Sequence, residues 1–272
     1  MTLVDVKPVE RTIGFQWRPI IKRYAPPLAG IAVFVAVWWL AGLEFGGNPR
    51  AAAFRGFTID RTAAALRELI MSGDALRAAA PSLSRILQGL AWAFAIGAPV
   101  GIAIGSVTFL ERMTHLPFQI LRMVSPLAWM PIAVLTFATW DGAIVFLIAA
   151  AAIWPIVFAT AAGVKRIDPL WLAMARNLGG SPLSVLTAVI VPAVAQDILT
   201  GLRLALGVAW IVLVPAEFLG VTSGLGYAIN DARDTLSYDR LAALVLLIGL
   251  IGYVIDAVVS AAIRRTQWTP TA

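Results

Sequence analysis

Residues 142–164, GAIVFLIAAAAIWPIVFATAAGV, run for 23 positions without a charge between Asp141 and Lys165. A helix rises 1.5 Å per residue, so ~20 apolar residues cross the ~30 Å hydrocarbon layer of a bilayer. This stretch reads as a membrane span, and its neighbours read alike. Residues 25–43, 86–110 and 123–140 give uncharged runs of 19, 25 and 18 residues. Residues 193–216 and 241–263 form two further spans that carry charges inside them, Asp197 and Arg203 in the first and Asp256 in the second. The expectation is an all-α membrane protein with six transmembrane helices, with a tight hairpin at Asp141 between the third and fourth. Six crossings fill a 272-residue chain and leave no room for a separate catalytic domain.

Composition agrees. Hydrophobic residues make up 60% and charged residues 13% of the chain, against ~45–50% and ~25% in an ordinary globular domain. The formal charge of +6 fits the orienting charge of cytoplasmic loops better than a nucleic-acid surface. Lys7, Arg11, Arg18, Lys22 and Arg23 precede the first span, which lacks a small-residue cleavage site and reads as a retained helix with a cytoplasmic amino terminus. The expected organisation is a cytoplasmic segment 1–24, a single transmembrane domain 25–265 and a tail 266–272. With no cysteine and one histidine, His115, thiolate metal sites, disulfides and a histidine metal cluster are excluded. No metal site and no catalytic residue is expected.

Between 60 and 80, Leu66, Leu69, Ile70 and Leu76 alternate with Arg61, Arg67, Glu68 and Arg77, a weak amphipathic pattern for a segment lying along the outer interface or for a plain external loop. More informative is 165–192, between the fourth and fifth spans. Asp168 before Pro169 is a helix start: Asp accepts orphan amide hydrogens as N-cap, and Pro is tolerated at the first helical position. Gly179 and Gly180 supply the left-handed conformation that ends a helix, and Ser181-Pro182 repeats the start signal for a second short helix closing before Pro192. Two short helices fixed to two spans make a projection that a soluble partner can grip.

Here the chain resembles a known family. Ala173-Met174-Ala175-Arg176-Asn177-Leu178-Gly179-Gly180-Ser181, followed by Val189, Val191 and Pro192, is similar to the EAA loop of permease subunits of bacterial ABC importers. The family pattern has Glu where this chain has Ala173, which removes one ionic contact with the ATPase. Residues 126–133, 198–207 and 216–227 look like the branch importing nitrate, bicarbonate, taurine and alkanesulfonates. The resemblance implies the type I importer permease fold, with Ala173, Met174, Ala175, Arg176, Gly179, Gly180, Ser181 and Pro192 coupling the chain to an ATPase. It also implies a second permease subunit, identical or closely related, two cytoplasmic ATPase subunits that bind ATP and Mg, and a periplasmic or lipid-anchored solute-binding protein. The setting is the bacterial inner membrane. The chain carries no G-x-x-x-x-G-K-[ST] phosphate loop, so it holds no nucleotide by that route.

Four residues are candidates for the translocation path or gate. Arg203 falls near mid-membrane and needs a partner or water there. It reads as an anion-attracting cation or as an ion pair with Asp197, Glu217 or Asp256. Glu217 reads as a gate, a contact for the binding protein, or an interfacial carboxylate that solvates a helix end. Trp129 and Trp210, with Trp140 and Trp154, read as path lining or as bundle filler and interface anchors. Gly97, Gly101 and Gly105 fall on one helix face and permit close packing. A secondary transporter or channel would show equally greasy spans but would work without ATPase subunits. An intramembrane enzyme would need a convergent set of catalytic side chains, and none is legible.

Overall fold

The computed structural model describes residues 17–47 and 54–266, all helices, turns and loops. Residues 1–16, 48–53 and 267–272, which hold part of the expected amino-terminal segment and nearly all of the tail, lie outside the described residues. The chain forms two separately packed units, residues 1–59 and 60–272. The first contains α1 (Trp17–Gly47), which begins eight residues before the predicted span and presents Leu28, Ile31, Phe34 and Val37 as exposed, lipid-compatible surface. Within this unit the Trp38 indole donates to the Phe57 carbonyl at 2.8 Å.

The second unit is built on α3 (Asp74–Ser106), α6 (Trp140–Lys165) and α9 (Val191–Gly220). α6 is apolar all round, the mark of a helix enclosed by others, and Ile144, Leu147, Ile148 and Ile156 are inaccessible. Glycines allow its neighbours to approach. A Cβ at Gly101 would come within 2.7 Å of Thr160 Cβ and of the Val157 carbonyl, and one at Gly105 within 2.7 Å of Val164 Cβ. Gly97 meets Ile153 and Ile156 at 3.2–3.3 Å, so the predicted glycine face is the α3–α6 seam. On the other side of α6, a Cβ at Gly201 of α9 would sit 2.9 Å from Ala159 Cβ. α2 (Ile59–Met71) buries Thr62, Ala65 and Leu69, and Ala65 and Leu69 join a smaller apolar cluster with Leu225, Leu244 and Leu247. The expected amphipathic segment 60–80 is thus two things: α2, and from Asp74 the start of α3.

Five helices among the described residues are long and apolar enough to cross a membrane, and the count reaches six when a bent pair is taken as one span. The break corrects the expectation of a single span over 123–140. α4 (Thr108–Met123) is followed, at an 89° bend, by a short 3₁₀ turn at Pro126–Trp129 and α5 (Met130–Thr136). Pro126 accounts for it. Proline offers no amide donor and pushes the residue before it out of helical geometry, and Val124 and Ser125 are extended with ψ of 126° and 129°. His115 lies on α4 rather than in a turn. The hairpin expected at Asp141 falls at 137–139 instead: Thr139 Oγ1 accepts from the Gly142 amide at 3.1 Å as N-cap, and Asp141 sits in the first turn of α6.

The predicted projection forms, with one correction. α7 (Pro169–Asn177) starts on Asp168, whose carboxylate accepts from the Leu170 amide at 2.9 Å. It ends with the Gly180 amide donating to Ala175 and the Gly179 amide to Arg176, the paired bonds of a glycine-terminated helix, with Gly179 at φ +79°. α8 (Pro182–Val185) starts on Ser181. It does not close before Pro192. A π-helical turn at Leu186–Ile190 carries it into α9, so residues 182–220 run as one 39-residue helix. Pro192 lies in the first turn of α9, and the wider turn just upstream absorbs the hydrogen bond that a proline cannot make. α10 (Leu225–Asp234) and α11 (Tyr238–Thr266) complete the chain.

Candidate functional site

At the end of the bundle where α6 begins, four elements meet on one buried guanidinium. α3 starts twelve residues earlier than the apolar run suggests, so Ser82 and Arg85 belong to its buried face together with Ala79, Ile86 and Gly89. The Arg85 side chain is 4% exposed and that of Glu217 is 0%. Arg85 Nη1 donates to Glu217 Oε1 at 2.5 Å and Nε donates to Asp141 Oδ1 at 2.6 Å. Nη1 and Nη2 also donate to the Ser223 carbonyl and hydroxyl, each at 2.9 Å. Glu217 accepts further from the Ser82 hydroxyl at 2.8 Å and from the Gly226 amide at 2.9 Å, while Ser82 Oγ accepts from the Leu225 amide at 2.9 Å. Both buried charges are compensated and hydrogen-bonded, the condition under which an ion pair survives burial. Gly224, at φ +114°, passes so close that a Cβ would lie 2.5 Å from the Glu217 carboxylate.

This decides among the readings of Glu217 and adds a role for Asp141. Glu217 does not solvate a helix end; it is the buried anchor of the node. Asp141, though 67% exposed, is a counter-ion of Arg85. Arg85 and Ser82 were missed because the uncharged run was taken to start after Arg85. The spacing Ala79, Ser82, Arg85, Ile86, Gly89, Ala93, three and four residues apart, was the signal that puts Arg85 inside.

The opposite end of α6 carries two exposed ties. Lys165 bonds Glu111 of α4, and Arg166 bonds Asp197 of α9. Beyond them stands the α7–α8 projection. Leu170, Trp171, Met174, Leu178 and Leu183 are exposed there, Leu178 to 86%. Ala173, Arg176, Gly179, Ser181 and Pro192 are also exposed, and Ala175 and Gly180 half-buried.

The candidate path residues do not converge. Arg203 donates through Nε and Nη2 to the two carboxylate oxygens of Asp256 on α11, both at 2.8 Å, which selects one of its three expected partners. Trp210 lies against α11, where a Cβ on Gly252 would come within 2.8 Å of its indole nitrogen. Trp129 is half-buried against the main core. Glu217 belongs to the node above. A cavity of about 710 Å³ opens instead between the α4–α5 break, α6 and α9, lined by Arg122, Pro126, Trp154, Phe158, Leu204 and Val208 among others. The Arg122 guanidinium lies 5.3 Å from the Phe158 ring centre, and Trp154 stacks on Phe158 with ring centres 6.3 Å apart. Among the described residues no group of three or more His, Cys, Asp or Glu side chains is placed to hold a metal.

Comparison with known proteins places this architecture. Residues 95–268 match the family model described as the binding-protein-dependent transport system inner membrane component. The bicarbonate transport system permease protein CmpB of Synechococcus elongatus is 34% identical over 256 residues, covering 90% of each chain. The taurine transport system permease protein TauC of Escherichia coli is 32% identical over 98% of this chain and 97% of its own. The nitrate import permease protein NrtB of Leptolyngbya laminosa is 37% identical over 66% of this chain and 64% of its own. An all-helical, multi-pass chain with a capped helical projection after its fourth crossing, matched along nearly all its length by such proteins, belongs to the permease subunits of ABC importers.

Proposed function

We propose that the chain forms one half of the membrane path of an ATP-driven importer that carries a small anion inward, by alternating access, from an external solute-binding protein. The amino terminus and the α7–α8 projection face the cytoplasm in this reading, and the Arg85–Glu217 node faces outward. A second permease subunit completes the path, and two ATPase subunits bind ATP and Mg and hydrolyse the ATP. Bicarbonate, nitrate and taurine, the cargoes in the relatives' names, set the class of anion.

The observation that carries the reading is the projection. α7 is capped at both ends by its own residues, yet it exposes Leu170, Trp171, Met174 and Leu178, positions that return to one side of a helix. An apolar face on a rigid element outside the bundle fits a protein partner. With Ala173 where the family has Glu, apolar contact carries more of the docking. From Pro182 the helix continues without a break to Gly220, so force applied at α8 reaches Glu217 along a rod of about 53 Å. Reconstitution in vesicles with the ATPase encoded beside the chain tests this: ATP-driven uptake is expected, with Met174→Cys labelled from the cytoplasmic side and protected when the ATPase binds. Uptake by the isolated chain without ATP, or labelling from the outside, would overturn it.

A further inference from the structure

We infer that the cavity beside Arg122 is a binding site for an organic anion, with a carboxylate or sulfonate group on the guanidinium and an apolar body against Trp154 and Phe158. Its lining residues fix its depth. Trp154 lies near the middle of α6 and Phe158 one turn nearer its Lys165 end, and Leu204 and Val208 lie in the middle of α9, so the site lies within the membrane-spanning part of the bundle. A charge at that level is costly unless it meets a partner, water or ligand. Arg85, Arg166 and Arg203 each have a carboxylate. Arg122 has none among the described residues; its recorded neighbour is the face of Phe158.

The walls say what kind of partner fits. Arg122 is the one charged residue on the lining, and the rest is alanine, proline, valine, leucine, tryptophan and phenylalanine. Beyond the guanidinium the lining side chains offer only the Trp154 indole N–H as a polar group. A volume of about 710 Å³ falls inside the ~300–1,000 Å³ range of pockets that enclose drug-sized ligands, far more than a single oxyanion group fills. Trp154 and Phe158 are tilted by only 25° to one another with ring centres 6.3 Å apart, giving two adjoining aromatic surfaces on the wall. One cation and a broad apolar surface recognise a single-headed anion with a hydrocarbon or aromatic body.

As a cargo site this rests on the importer reading; as a binding site it does not. The test measures equilibrium binding of benzenesulfonate and of nitrate to the full-length chain in lipid nanodiscs. Benzenesulfonate is expected to bind at least about tenfold more tightly than nitrate, and Arg122→Gln to weaken it by about tenfold or more, the size of one charge-assisted hydrogen bond. Arg122→Lys retains part of the binding. Leu204→Trp, at an exposed position that leaves the core intact, blocks benzenesulfonate by filling the cavity. Equal affinity for the two anions, wild-type binding by Arg122→Gln, or no binding of either probe would overturn the proposal. ATP-driven uptake is scored separately. Binding through Arg122 without such uptake removes the importer reading and leaves the site, whereas uptake indifferent to Arg122 keeps the importer reading and removes the site's role in carrying cargo.

Discussion

Arg85 and Arg122 are both arginines on the rim of an apolar run, and the structure treats them in opposite ways. Arg85 is enclosed by Glu217, Asp141 and Ser223, and its donors reach four acceptors. Arg122 stands in an open apolar cavity with a ring beside it and no carboxylate. The contrast separates two jobs that a transport bundle must do. Where helix ends have to hold together, charge is matched and water excluded. Where something has to enter and leave, charge is left available. Stability and traffic are therefore expected to fail independently, and substitutions in the two regions can show whether they do.

The largest effect is expected at the node. Arg85→Met leaves the Glu217 carboxylate without its cationic partner in a site of zero exposure. Removing one partner of a buried pair costs about 3–5 kcal/mol, whereas replacing both with apolar groups is often neutral. The single variant should lose yield and thermal stability in detergent, and Arg85→Met/Glu217→Leu should recover much of both. If Arg85→Met were as stable as wild type, the node would not be the structural anchor and the contrast with Arg122 would disappear.

How far the sequence reaches is clearest from the same residues. Uncharged length located the span of α6, and apolar length interrupted by single charges located those of α9 and α11, because a membrane-crossing helix must be largely apolar whatever its neighbours are. Local capping chemistry located α7, since Asp168, Pro169, Gly179 and Ser181 act on backbone groups within a few residues. Neither rule reports on contacts between distant segments. Ser82 meets Glu217 across 135 residues, and Arg203 had three equally reachable acid partners until packing chose Asp256. The uncharged-run criterion also erred wherever a charge is buried or a run is bent. It cut Arg85 off α3 and drew 123–140 as a straight rod through Pro126 and Pro131. Arg122 reached the cavity only through that bend.

A middle-sized effect is expected at the projection, and it sharpens the contrast by separating function from stability. Gly179 has φ +79° and open space around it. Gly179→Asp meets no clash, but an L side chain in the left-handed region costs about 1–2 kcal/mol, and it sets a carboxylate against the docking face. Assembly with the ATPase and ATP-driven uptake should fall sharply while the melting temperature of the isolated chain moves little. Normal uptake in this variant would count against α7 as the coupling element.

Arg203 lies between the two extremes and gives the smallest expected change in stability. It is paired like Arg85, yet it and Asp256 are each 47% exposed, so solvent or a neighbouring subunit shares the work of satisfying them. Arg203→Gln should shift the melting temperature by a fraction of the Arg85→Met effect. Its uptake kinetics then decide which region it belongs to. A raised KM with near-normal stability puts the fork on the anion's route alongside Arg122, with Asp256 as a counter-ion that keeps the guanidinium from holding cargo too tightly; Asp256→Asn should then lower KM and slow turnover. Unchanged uptake and affinity in Arg203→Gln would make the pair a tie between α9 and α11. A loss of stability as large as that of Arg85→Met would mean that half-exposed charge is held as firmly here as buried charge, and that exposure does not mark where this bundle leaves charge free.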